Sequence, residues 1–168
     1  GHVPAENLLF FSGHEASLYQ NIIPSEKNLL DRFKVLDTLS RKKGASVVVC
    51  TIESFLMRVP PSSFFKENFF QIKTSDVIAP LDLAEKLVAM GYSSTVSVEE
   101  PGNFNKKGEI FDIYPISGPP IRIQYFDEMV EKINHIDLGS QKTIWENPLE
   151  SVEFAPGPSL LTKEAFRE

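Results

Sequence analysis

"PGNFNKKGEIFDIYP", residues 101–115, decides the fold class of this chain. Asn103, Asn105 and Gly108 are turn formers that tolerate left-handed backbone angles, and from Glu109 onward acids alternate with large apolar side chains. The stretch reads as a turn joining two strands, with Lys106 and Lys107 projecting from its tip into water. In the strand "GEIFDIYP", Ile110, Asp112 and Tyr114 share one face and Phe111, Ile113 and Pro115 the other, so neither face is purely polar. Glycines beside lysines also invite a phosphate-loop reading, but that loop leads from a strand into a helix, and Glu109 stands where a magnesium-binding hydroxyl is needed. What remains is a hairpin whose lysines either guard a sheet edge or meet a partner.

The same grammar extends outward from the turn. "STVSVEE" (94–100), "PIRIQYFD" (120–127) and "EKINHID" (131–137) read as further strands separated by Gly, Pro, Asn and Asp signals, and one more strand is expected around Val152 to Phe154. Upstream, "APLDLAEKLVAMGY" (79–92) predicts a helix with Pro80 at its start and Gly91 just past its end, and "SSFFKENFFQIK" (62–73) a short helix and a strand. Further upstream the pattern changes. "PSEKNLLDRFKVLDTLSRKKG" (24–44) places Ser25 as N-cap, stripes Leu29, Leu30, Phe33, Leu36 and Leu39 along one helix face, and stops at Gly44. "ASVVVCT" (45–51) suits a strand buried on both sides with Cys50 inside it, and "TIESFLMRV" (51–59) a helical turn or two capped by Thr51. The fold class is therefore mixed: an α/β piece, then an α+β domain with an antiparallel, hairpin-rich sheet. A new helix is expected from Thr162.

Composition removes several function classes. A net charge of −6 argues against a surface that grips phosphates throughout; the basic residues cluster only at Arg41–Lys43, where they suit a helix C-terminus, and at Lys106–Lys107. No apolar run approaches the ~20 residues of a membrane helix, no secretory leader is evident, and the expected location is cytoplasmic. Cys50 is the only cysteine, which rules out an internal disulfide. His2, His14 and His135 lack zinc-ligand spacing. Adjacent carboxylates such as Glu99–Glu100 and Asp127–Glu128 do not supply the convergent geometry of an acid–base pair, and nucleophile signatures are missing. The expectation is no catalytic residue, no metal site and no cofactor site in this chain.

Taken in order, "GY" at 91–92, "PGNFNKKGEIFDIYP", "IRIQYFDEMVEKINHID" and "SQKT" at 140–143 resemble the N-terminal module of the bacterial transcription-repair coupling factor family. Upstream, "PSEKNLLDRFKVLDTL" and "ASVVVCTIESFLMRVPP" match the same family, so the likeness covers nearly the whole chain; the module is also similar to part of the excinuclease protein UvrB. The resemblance implies three parts: residues 1–55 belonging to a degenerate RecA-like domain, 56–143 forming an α+β domain that binds the excinuclease protein UvrA, and 144–168 returning to the RecA-like side.

It further implies a partner-binding surface at Tyr92, Ser93, Phe104, Lys106, Lys107 and Phe111. The family carries arginine at the positions of Ser93 and Lys107; lysine keeps the charge but loses the planar fork, and serine loses the charge. The implied function is recruitment of excinuclease UvrA to stalled RNA polymerase in transcription-coupled nucleotide excision repair. The parent protein would be an ATP-dependent DNA translocase that uses ATP and Mg²⁺ and meets RNA polymerase and DNA through other domains. The alternatives are a DNA-binding surface on Arg41–Lys43 and Lys106–Lys107, or an autoinhibitory face of a UvrB-like helicase.

Overall fold

A computed structural model describes residues 4, 7–11, 13, 26–41, 44–56, 59–157 and 160. The chain divides into two compact units, residues 1–66 with 161–168, and residues 67–160. Expectations at Ser25, Lys42, Lys43, His2, His14 and the helix from Thr162 lie outside the described residues.

In the first unit, β1 (Leu8–Phe11) pairs in parallel with β2 (Val47–Cys50), and α1 (Glu26–Arg41) lies between them in sequence, which is the expected α/β arrangement. The buried side of α1 differs from the expected stripe: Phe33 is fully buried and Val35, Arg32 and Asp37 are buried, while Leu39 is exposed. Polar groups enter that side because they find partners there. The Arg32 guanidinium lies 4.5 Å over the Phe11 ring, and Asp37 Oδ1 accepts from Arg41 Nε at 2.6 Å.

β2 corrects a second expectation. Its four residues are all exposed, Cys50 included, because this sheet has two strands among the described residues and offers no neighbour to cover both faces. The short α2 (Ile52–Leu56) starts as expected, with Ser54 N–H donating to Thr51 Oγ1 at 3.3 Å.

The second unit begins at the end of α3 (Ser62–Glu67) and holds two sheets. β3 (Phe70–Lys73) pairs antiparallel with β10 (Ser151–Phe154), where the rings of Phe70 and Phe154 stack at 4.8 Å. α4 (Pro80–Ala89) has Pro80 at its first position, buries Leu83 and Leu87, and is followed by Gly91 at φ 86°.

The larger sheet has strand order β4 (Ser93–Ser94), β5 (Asn103–Lys107), β6 (Ile110–Ile113), β7 (Ile121–Phe126), β8 (Met129–Asp137) and β9 (Lys142–Leu149). All its pairs are antiparallel except β4–β5, as expected for a chain of hairpins. One face is the core: Phe104, Phe111, Ile113, Ile121, Ile123, Tyr125, Val130 and Ile133 are buried in register across β5 to β8.

Three boundaries differ from the sequence reading. The hairpin tip is Gly108–Glu109, not the two lysines: Lys107 pairs with Ile110, and only Gly108 of the two has positive φ, at 59°, as in a type II′ turn. Asn103 and Asn105 therefore lie within β5. "STVSVEE" contributes only its first residue to β4 and is otherwise irregular, and β9 occupies a stretch with no clear period-2 pattern.

Residues 155–157 are sewn to the end of α4. Tyr92 Oη donates to Ala155 O at 2.9 Å, and a Cβ added at Gly157 would lie 2.6 Å from the Gly91 carbonyl oxygen. Gly157→Ala is accordingly expected to cost about 1–3 kcal/mol, read as a lower urea midpoint, because the obstacle is backbone and cannot turn aside.

The Tyr125 hydroxyl is buried with no hydrogen-bond partner, and burial pushes its pKa from 10.0 up to about 12. Between those values the folded state keeps a proton that the unfolded state releases. This contribution to stability is complete below about pH 10 and is lost as the pH rises toward 12. Tyr125→Phe is expected to flatten that alkaline decline, while leaving stability at pH 7 unchanged or higher because an unpaired buried hydroxyl is removed. Urea titrations of both proteins at neutral and alkaline pH check it.

Candidate functional site

Strand alternation gives the large sheet a second, polar face, on which Asp112 and Asn134 are buried and Lys107 and Lys132 exposed. Asn105 on β5, Asp112 on β6, Arg122 on β7 and Asn134 on β8 stand side by side in register, and Lys107, Ile110, Gln124 and Lys132 form the next row. Ser93 pairs with Asn103 and so belongs to the same face as Asn105 and Lys107. Toward β5 this face carries a cavity of about 290 Å³ lined by Val96, Ser97, Asn105, Lys107, Ile110, Asp112, Arg122 and Gln141.

Arg122 organises the cavity floor. Its Nε donates to Asp112 Oδ1 at 2.6 Å and its Nη2 to Asp112 Oδ2 at 2.7 Å, a two-pronged ion pair with both side chains largely buried. The hydrogen bond to Asp112 is the main reason the guanidinium pKa is raised; burial opposes it and the charge of Asp112 adds to it. The remaining donors reach toward β9. Nη1 donates to Thr143 Oγ1 at 3.1 Å and Nη2 to the Gln141 carbonyl at 3.3 Å.

The loop between β8 and β9 is itself braced. Asp137 Oδ1 accepts from the amide and hydroxyl of Ser140 at 2.8 and 2.6 Å, which holds its pKa below the usual carboxylate value, the hydroxyl being the larger cause. On the cavity's other side, Asn105 Nδ2 donates to Val96 O at 2.6 Å. With Arg122 neutralised by Asp112, Lys107 is the lining cation that has no ion pair among the described residues.

The six residues expected at a partner surface fall into three that are buried and three that are exposed. Phe104 and Phe111 stack in the core with ring centroids 5.5 Å apart. Tyr92 is buried too, its hydroxyl accepting from Ile116 N–H at 3.3 Å besides donating to Ala155. These three aromatic rings lie inside the domain, where a partner cannot reach them; they hold the sheet that presents the others. Ser93, Lys106 and Lys107 are exposed. Lys106 pairs with Phe111 and Lys107 with Ile110, so the two lysines leave opposite faces of the sheet and do not act as one basic patch. The lysine pair expected for DNA phosphates is thereby split.

Sequence reasoning passed over Asp112, Arg122, Gln141, Asn105 and Val96. One signal was available for the ion pair. An acid in "IFDIY" and a base in "PIRIQ" each sit between apolar neighbours on adjoining strands, which is the pattern of a cross-strand pair. The register of the hairpin between them was needed to make them partners. Among the described residues no group of three or more His, Cys, Asp or Glu is placed to hold a metal ion, and no helix is long and apolar enough to cross a membrane.

A family model described as the UvrB interaction domain matches residues 70–158. The chain is similar to the transcription-repair-coupling factor of Bacillus subtilis, 28% identical over 158 residues that make up 94% of this chain and 13% of the relative. It is similar to that of Myxococcus xanthus at 24% over 168 residues, 99% of this chain and 14% of the relative, and to that of Borreliella burgdorferi at 33% over 93 residues, 55% and 8%. The chain thus spans a small part of the length of the curated relatives it matches.

Proposed function

This chain belongs to the UvrB interaction domain family, and on that premise we propose that it is a non-catalytic module that docks the excinuclease protein UvrA. Its setting would be a longer transcription-repair coupling factor, an ATP-dependent DNA translocase that brings UvrA to stalled RNA polymerase in the cytoplasm. The resemblance drawn from the sequence motifs agrees with the similarity to coupling factors along most of the chain. The observation that carries the reading is a coincidence of boundaries. The family match at 70–158 falls inside the unit 67–160, whose large sheet presents a polar face with Lys107 exposed on it.

On this reading the contact is made by Lys107, with Ser93 on the same face, and the buried Tyr92, Phe104 and Phe111 act as support. Lysine offers a point charge where the family would place a forked guanidinium. The interaction is then steered by charge and sensitive to salt. Calorimetry of the chain with UvrA from the same organism tests it. Binding is expected, and Lys107→Glu is expected to weaken it by about tenfold or more, the scale on which interface charge reversals act. No detectable binding, or binding indifferent to Lys107→Glu, sinks the proposal.

A further inference from the structure

We infer that Arg122 is a positioning residue for partner binding at this face: without touching the partner, it locks the β8–β9 loop and the 95–98 segment into the wall beside Lys107. The inference rests on the docking role proposed above and adds the means by which the docking surface is kept in shape.

The observation is a set of side-chain hydrogen bonds around the cavity that, with the β5–β6 ladder, encloses it. Asp112 on β6 holds Arg122 through both carboxylate oxygens. Arg122 holds the Gln141 carbonyl and the Thr143 hydroxyl. Gln141 Nε2 then donates to Val98 O at 3.3 Å and to Leu138 O at 2.9 Å. Asn105, the register partner of Asp112, closes the loop by donating to Val96 O. The 96–98 segment and the start of β9 are thus joined by side-chain hydrogen bonds through Gln141 and Arg122, with the β5–β6 ladder linking Asn105 to Asp112.

Two features separate this circuit from ordinary sheet packing. First, Gln141 has φ 56°, a left-handed conformation that a residue other than glycine holds at some cost. Glycine would suit that backbone better, yet only a side chain can reach Val98. Second, the segment being held is anchored at its two ends, where Thr95 N–H donates to Phe104 O at 2.9 Å and Val98 is buried, while between them Val96 is 85% exposed and residues 95–100 are irregular. Between those anchors, the Val96 carbonyl is held by Asn105 and the Val98 carbonyl by Gln141. A guanidinium is suited to the hub because its planar fork engages Asp112 and still has donors left for two further acceptors, which an ammonium cannot do in that geometry.

The test uses two variants that spare the fold. Arg122→Lys keeps a cation beside Asp112 but gives up the fork. Gln141→Gly relieves the left-handed backbone and deletes only the side-chain links to Val98 and Leu138. For both, affinity for UvrA is expected to fall by about tenfold, the scale of coupling inside one hydrogen-bonded network. Amide exchange at residues 96–98 and 138–143 is expected to speed up. The urea midpoint of Gln141→Gly should stay level or rise, so a loss of binding cannot be assigned to unfolding.

A double-mutant cycle completes it. In a Lys107→Ala background, Arg122→Lys should cause no further loss, because it acts through the placement of Lys107's surroundings. Additive losses in that cycle, or wild-type affinity for both Arg122→Lys and Gln141→Gly, overturn the inference. Affinity that depends on Lys107 but not on Arg122 or Gln141 overturns this inference alone; affinity that ignores Lys107→Glu overturns the docking role beneath it.

Discussion

Phe111→Ala is expected to lower the unfolding free energy of the 67–160 unit by about 3–5 kcal/mol, the usual cost of removing a buried aromatic ring. Phe111 is fully buried, stacks on Phe104, and sits in the middle of the core row with Ile123 as its neighbour on β7. Cutting the ring away leaves Phe104 without its stacking partner in a space that the rigid sheet cannot close. Domains of this size hold only about 5–15 kcal/mol in total, so the variant should approach its unfolding midpoint under mild conditions. Urea denaturation followed by circular dichroism measures the loss. A weaker apparent affinity for a partner should follow the unfolded fraction and recover at low temperature or in stabilising salt. A fully stable Phe111→Ala protein with lost binding would mean that the ring meets the partner directly, contrary to its burial.

Arg122→Met is expected to cost a similar amount, about 3–5 kcal/mol, for a different reason. The substitution keeps an apolar stem but leaves the Asp112 carboxylate, only 12% exposed, facing a site that no longer supplies two donors. The cost comes chiefly from stranding that charge. The matched double variant, Asp112→Leu with Arg122→Met, removes both charges and should regain most of the lost stability, because a buried pair replaced by apolar groups is often neutral or better. Urea titration of the two singles and the double gives the coupling. If the double is no more stable than Arg122→Met alone, the ion pair is not the reason for the loss. By restoring stability without restoring the links to Gln141 and Thr143, the double variant also separates holding the fold from shaping the polar face.

The legible parts of this fold were those where one local rule dominates. α4 follows from Pro80 at its start, apolar spacing through Leu83 and Leu87, and Gly91 at its end. β6, β7 and β8 follow from alternation between strong turn signals, and the antiparallel class follows because the glycine and lysine stretch joins strand to strand. β5 was hidden because "NFNKK" contains turn-forming asparagines, whose side chains here satisfy backbone groups next to the strand: Asn103 Oδ1 accepts from Glu100 N–H and Asn105 donates to Val96 O. β9 was hidden because Asn147 at φ 57° and Pro148 interrupt its period beside a register shift. β2 misled in the opposite direction, since an apolar, β-branched run signals burial only when other layers are present to cover it.

The candidate surface shows the same division more sharply. Sequence by itself determined which residue types gather around the 101–115 hairpin, the family they resemble, and the hairpin-rich antiparallel class of the sheet. Tertiary structure alone decided that Tyr92, Phe104 and Phe111 face inward, that Lys106 and Lys107 part to opposite sides, and that Asp112, Arg122 and Gln141 meet around one cavity. The physical reason is register. A strand's side chains change faces at every residue, so with the turn at Gly108–Glu109 the two lysines are consecutive residues of β5 and must leave it on opposite faces. The hydrogen bonds that run from Val96 to Thr143 exist only once the four successive hairpins from β5 to β9 have set their alignment.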